Sequence, residues 1–204
     1  MKKASALLAK NFKNTFLSCE VDQETIWRKL FVESRPYSDK LKRLLVVNTP
    51  NCLDESQRQY QEIIDKRTLH DLKEGKYLRT VPKLTFEEHE EVKSYILLEF
   101  DSFTPSENPH YRNCIISFTI ICHLDYWELE DYKLRPYQIA GYIDGLMNNT
   151  RLSGIGTLQF MGAQEVVLNE YLGGMMIRYI ATHGNEDKEK VNEELPSAYT
   201  YPLD

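Results

Sequence analysis

The stretch from Arg112 to Trp127 constrains this chain more than any other. Cys114, Ile116, Phe118, Ile120, Cys122 and Leu124 fall on one side of a period of two, while Asn113, Ser117, Thr119, His123 and Asp125 interrupt the other. Such a strand buries its first face and turns its second toward solvent or a polar neighbour. The segment before it behaves alike: over Tyr95 to Phe103, Ile96, Leu98 and Phe100 point one way and Tyr95, Leu97, Glu99 and Asp101 the other. Thr104 to Pro109, with two prolines, Ser106 and Asn108, reads as the loop between them. Pro136 then opens a helix in which Ile139, Tyr142, Ile143, Leu146 and Met147 form a stripe, ended at Asn148-Asn149 and laid across the sheet so that the stripe meets Phe118, Ile120 and Leu124. Two more strands are predicted, about 155–169 and 175–183, with a hairpin turn at Gly173-Gly174 and a bulge at Gly162. The resulting order of strand, strand, helix, strand, strand implies an α+β fold: an antiparallel sheet with a flanking helix, plus an N-terminal helical region.

That helical region is chemically distinct. Residues 1–43 carry ten basic and five acidic side chains, net +5, so the remainder of a chain with net charge -6 holds -11, an asymmetry that suggests a docking surface. Asp22 is a plausible N-cap for a helix bearing Ile26, Trp27, Leu30 and Phe31, and Pro36 separates it from a short helix with Leu41, Leu44 and Leu45. Asp54 to His70 reads as one polar surface helix, with Tyr60, Ile63 and Ile64, ending before Gly75. Tyr77 to Leu84, with Pro82, suggests an edge strand, and Thr85 to Glu88 has capping-box spacing. Residues 185–204 hold six acids and two bases and close on Tyr199, Tyr201 and Leu203, too few apolar groups for a core of their own. The domain reading is therefore a helical region at 1–75, an α+β core at 76–184 and an extended arm at 185–204.

Composition narrows the chemistry. An acidic surface repels a phosphate backbone, which argues against a generic nucleic-acid binder. No run approaches 18 apolar residues and the N-terminus lacks a signal-like apolar stretch and cleavage site, so no membrane contact is expected and the protein is expected to be made in a cytoplasm. Cys19, Cys52, Cys114 and Cys122 show no metal or redox spacing, and the last two, eight residues apart on one strand, are separated by about 26 Å; they read as core thiols. The five histidines stand singly, so no metal or other cofactor is expected. The acidic tract around His89 reads as a solvated helix start, and neither a Walker loop nor a nucleophile elbow occurs. Glu99, Asp101 and His123 could gather on one sheet face as a divalent-metal nuclease site, although polar residues on a solvated face need no catalytic explanation. The Tyr132-Lys133-Leu134-Arg135-Pro136-Tyr137 run suits packing on a protein neighbour better than stacking on bases.

Two strands, a helix opening at Arg135-Pro136-Tyr137-Gln138-Ile139-Ala140-Gly141-Tyr142-Ile143-Asp144, and a hairpin ending in Met175-Met176-Ile177-Arg178-Tyr179 resemble the tail-terminator and tail-completion proteins of tailed bacteriophages over about residues 76–184. With its basic helical arm and Tyr/Asp-rich tail, the chain looks most like the neck ring proteins of crAss-like phages. The resemblance implies a non-enzymatic virion protein, a homo-oligomeric ring that joins the capsid portal to the tail and lines the DNA passage, twelvefold in preference to sixfold. It implies neighbouring portal, neck and tail proteins as partners, and genomic DNA passing without sequence-specific binding. Lys2, Lys3, Lys10, Arg135, Tyr137, Tyr199, Tyr201 and Leu203 are the expected partner contacts, with the acidic tail lying on the basic N-terminal region of an adjacent subunit.

Overall fold

The computed structural model describes residues 19–80, 93–106 and 111–184. In chain order, α1 (Cys19–Arg28) runs on through a wider π-type turn (Lys29–Glu33), and α2 (Tyr37–Val46), α3 (Arg58–Asp65) and α4 (Leu69–Glu74) follow. Next come β1 (Leu78–Arg79), β2 (Tyr95–Pro105), β3 (Tyr111–His123) and α5 (Arg135–Met147), then β4 (Arg151–Leu152), β5 (Gly156–Thr157), β6 (Gln159–Val167) and β7 (Leu172–Gly184). The sheet order is β1-β2-β3-β7-β6, antiparallel except for the short parallel pair β1–β2, while β4 and β5 form a separate hairpin. This is a mixed α+β fold with a mainly antiparallel sheet and flanking helices.

The alternation along β3 sets the core. Cys114, Ile116, Phe118, Ile120 and Cys122 are all buried, facing Ile139, Ile143, Leu146 and Met147 of α5 in one continuous apolar cluster. The N-terminal helices join that cluster: Trp27 of α1 meets Phe118 edge-on at 6.5 Å, and Phe118 meets Tyr179 of β7 at 6.0 Å. Each such side chain contributes about 1.5–3 kcal/mol by leaving water, so helices and sheet stabilise one another. A bulge at Asp101 keeps the core face of β2 apolar, because the register shift between Phe100 and Ser102 turns both Phe100 and Phe103 inward, their rings 6.1 Å apart.

Several expectations need correction. Leu124 does not extend the buried face, because the chain leaves β3 for a 3-10 turn (Leu124–Tyr126) that exposes it. Gly173 and Gly174 lie inside β7 rather than in the hairpin turn. A β-carbon at Gly174 would sit 1.7 Å from the Ile120 carbonyl oxygen, so glycine is required for close approach of β3 and β7. The turn itself is Leu168 to Tyr171, where the Asn169 side chain accepts the N–H groups of Tyr171 and Leu172, both at 2.8 Å. The strand expected from Ile155 starts at Gln159, the earlier residues forming the β4–β5 hairpin; the bulge beside Gly162 is present.

The polar helix over 54–70 is divided into α3 and α4. Thr68 begins a new helix by accepting the Asp71 N–H at its hydroxyl, while the Asp71 carboxylate accepts the Thr68 hydroxyl and N–H, and those two bonds hold the Asp71 carboxyl below its usual range. Asp22 lies within α1, not at its N-cap, and is buried. Of the strand expected over 77–84, the described residues show β1 (Leu78–Arg79); residues 81–84 with Pro82, the Thr85–Glu88 box and His89 lie outside the described residues. Cys52, Cys114 and Cys122 are buried thiols, and burial pushes Cys122 up to about 11. Among the described residues no helix is long and apolar enough to cross a membrane.

Candidate assembly interface

The sheet's second face carries the residues of the nuclease alternative, and its geometry separates them. Asp101 accepts a hydrogen bond from Ser117 and lies 3.8 Å from the Arg178 guanidinium, while Glu99 accepts from Thr119 at 3.4 Å. Partial burial, reinforced by the nearby Asp101 charge, raises the Glu99 carboxyl above its ordinary range. His123, however, pairs with Leu172 at the far end of β3, six residues beyond Ser117, or about 20 Å along the strand. There it stacks on Tyr171 at 6.2 Å and its Nδ1 accepts the Asp125 N–H, fixing the 3-10 turn. Among the described residues, no group of three or more His, Cys, Asp or Glu side chains is placed to hold a metal ion. The polar row is also less open than its composition suggests: Ser117, Thr119 and His123 are buried.

Of the expected contact residues, Lys2, Lys3, Lys10, Tyr199, Tyr201 and Leu203 lie outside the described residues. Arg135 is 0% exposed and serves the fold. Its guanidinium donates to the carbonyls of Leu44 (2.6 Å), Val47 (3.0 Å), Thr49 (2.8 Å) and Tyr126 (2.8 Å), tying the start of α5 to the end of α2. That buried cation offers no side-chain surface to a partner, which corrects its expected role. Tyr137, two residues on, does reach the surface; its hydroxyl donates to Glu165 of β6, and this bond raises the tyrosine's ionisation above the ordinary range.

Sequence reasoning missed the surface that stands out in the structure. Among the described residues β6 pairs only with β7, so its other edge is open, and Phe160 and the bulged Met161 are exposed along it. At the β6–β7 turn the exposure rises: Val167 is 80% exposed, Tyr171 52%, Leu168 47%, and Leu124 of the adjoining 3-10 turn 46%. The two turns are joined by the Leu124 N–H bonding the Tyr171 carbonyl at 2.9 Å. Asp125, Glu165 and Glu170 rim this apolar end of the sheet, and residues 165–172 and 124–127 contain no lysine or arginine. The pair Val167-Leu168 before Asn169 was a legible signal, since two apolar residues running into a turn cannot both be buried by strand alternation. By contrast, a groove of about 350 Å³ between α2 and α3 has two of its cations engaged: Lys40 pairs with Glu55 at 3.3 Å, and Arg43 donates to the Asp54 carbonyl and to Gln61, both at 2.8 Å.

No curated protein matches the chain. Among solved structures it is similar to a chain in the virion of a native gene transfer agent particle, with a TM-score of 0.39 and 14% identity over 61% of this chain and 90% of that one. The YomW protein family matches residues 38–180, a span that runs from α2 through most of β7 and takes in α5, both long hairpins and the exposed β6 edge. On that match over most of its length, the chain belongs to the YomW family.

Proposed function

We propose that the chain is a structural, non-enzymatic component of a phage-type particle, forming a ring in the portal, neck and tail conduit through which genomic DNA passes. The observation that carries this reading is the open β6 edge and the apolar sheet end beside it. A self-sufficient monomer shields or charges such an edge, whereas an assembling subunit leaves it for a neighbour. The order β2, β3, α5, β6, β7 agrees with the strand, strand, helix, strand, strand order behind the resemblance to tail terminators. A net charge of -6 suits a wall past which phosphates slide without sticking. In this reading Tyr137 and the terminal segments bearing Lys2, Lys3, Lys10, Tyr199, Tyr201 and Leu203 contact neighbouring copies or the adjoining portal and tail proteins, in twelvefold or sixfold rings.

Negative-stain imaging of the purified full-length protein, paired with sedimentation, tests the proposal. Closed rings with an opening wide enough for duplex DNA are the expected result; a protein monomeric at every concentration overturns it. Plasmid incubated with the protein and magnesium or manganese should stay intact. Cleavage lost in Glu99→Ala and Asp101→Ala would replace the structural reading with an enzymatic one.

A further inference from the structure

The apolar β6–β7 turn needs an occupant that is apolar at its centre and basic where it meets Asp125, Glu165 and Glu170; Arg79, at the same end of the sheet, is turned onto the Tyr95 ring of β2, two strands away from β7. One segment of this chain has that chemistry. Residues 1–18 contain Lys2, Lys3, Lys10 and Lys13 and no acidic residue, and Leu8, Phe12 and Phe16 recur every fourth position after Ala4. At helical spacing those side chains share one face, with Lys2 and Lys13 flanking it and Lys3 and Lys10 behind it. We propose that residues 1–18 of one copy dock as an amphipathic helix on the apolar, acid-rimmed sheet end of the next copy. The proposal names the contact that closes the ring and so rests on the ring reading.

The placement of the two partners along the sheet decides between the same copy and the next. Residues 1–18 enter the fold at α1, whose Asp22 lies against the β4–β5 hairpin: a β-carbon on Gly154 would come 3.3 Å from its carboxylate. Two residues on, Gly156 is pressed against the carbonyl of Thr182, near the end of β7. From there α1 runs inward to bring Trp27 onto Phe118, opposite Ile177. The segment therefore leaves from the Thr182 end of the sheet, and the apolar patch is at the Leu172 end, ten residues or about 33 Å away along β7. Eighteen helical residues span about 27 Å, which falls short of the chain's own patch. Donor and acceptor at opposite ends make a head-to-tail contact, the kind that closes into a ring or runs on as a filament.

Cross-linking in the full-length protein tests this directly. Cys52, Cys114 and Cys122 are buried, so in a Cys19→Ser background Leu8→Cys combined with Leu168→Cys, against each single variant, reports the new pair under mild oxidation. A ladder of covalent dimers, trimers and higher species is expected. A fast-migrating, internally linked monomer overturns the inference, as does the absence of any link. If micrographs still show rings when no link forms, the docking site is wrong and the ring function stands; if neither rings nor links form, both fail. A charge test adds a graded readout: Lys2→Glu with Lys13→Glu, the two lysines that flank the apolar face, should weaken self-association about tenfold or more at low salt, with the difference shrinking as salt is added. Glu170→Lys in that background should recover part of the loss, and unchanged association in the double glutamate variant also overturns the inference.

Discussion

β3 and β6 lie two positions apart in the same sheet and meet opposite surroundings. β3 has a strand on each side, α1 and α5 over one face, and its core-face side chains are buried from Cys114 to Cys122. β6 is paired on one side, and Phe160, Met161 and Val167 remain exposed. The first strand is completed by its own chain, so changes to it should appear as lost folding stability. Among the described residues the second has no partner along its outer edge, so changes there should appear in association and hardly at all in the monomer.

The largest expected effect is on the β3–β7 contact. Gly174→Ala drives a β-carbon into the Ile120 carbonyl at 1.7 Å, and neither backbone can retreat without breaking the ladder; a loss of about 5 kcal/mol, seen as a collapse of the urea midpoint, is expected. A mild effect would mean that β3 and β7 are less closely joined than described. Arg135→Met removes the donor to four carbonyls, those of Leu44 and Val47 buried, and should cost about 3–5 kcal/mol in chemical denaturation, with no change in association beyond that of a destabilised subunit. An Arg135 variant of native stability that failed only to assemble would restore the interface role denied to it here.

Cys122 sharpens the contrast through pH. Its folded-state ionisation is raised from 9.0 to about 11 by burial, so between those values the unfolded chain sheds a proton that the folded chain keeps. Stability contributed by the neutral thiol is therefore complete below pH 9 and is lost as pH rises toward 11, at up to about 1.4 kcal/mol per pH unit. Cys122→Ala should flatten the alkaline limb of a stability profile, and an unaltered slope would argue that the thiol ionises alike in both states. Ser117→Ala, on the polar face of β3, removes one hydrogen bond to an Asp101 carboxylate that keeps Arg178 nearby; about 1 kcal/mol is expected by thermal unfolding. Smallest is Val167→Ser at the apolar sheet end. With Val167 four-fifths exposed, the stability of the monomer should change by less than about 0.5 kcal/mol while the proposed self-association weakens. A large stability loss there would show that β6 is completed within the chain after all.

Local chemistry made much of this architecture legible in advance. A period of two through residues 95–103 and 112–123, a stripe of Ile139, Ile143, Leu146 and Met147, and a proline opening α5 are each settled within a few residues of chain, because strand and helix geometry assign a side chain to a face before any tertiary contact exists. Gly173-Gly174 was legible as special but not as to why. Glycine serves a turn and a close strand crossing equally well, and only the neighbour at Ile120 tells them apart. Arg135 and Tyr137 look alike as surface groups beside a proline, yet one is buried by the end of α2, 86 to 91 residues earlier in the chain, and the other reaches β6. Likewise Glu99, Asp101 and His123 share a face by alternation, but distance along the strand, which alternation does not encode across paired strands, keeps His123 from the carboxylates. Composition and periodicity thus determined which side chains want burial and which strands exist. Strand order decided which of those wishes the chain itself could meet, because an edge is a property of the assembled sheet and of no single strand.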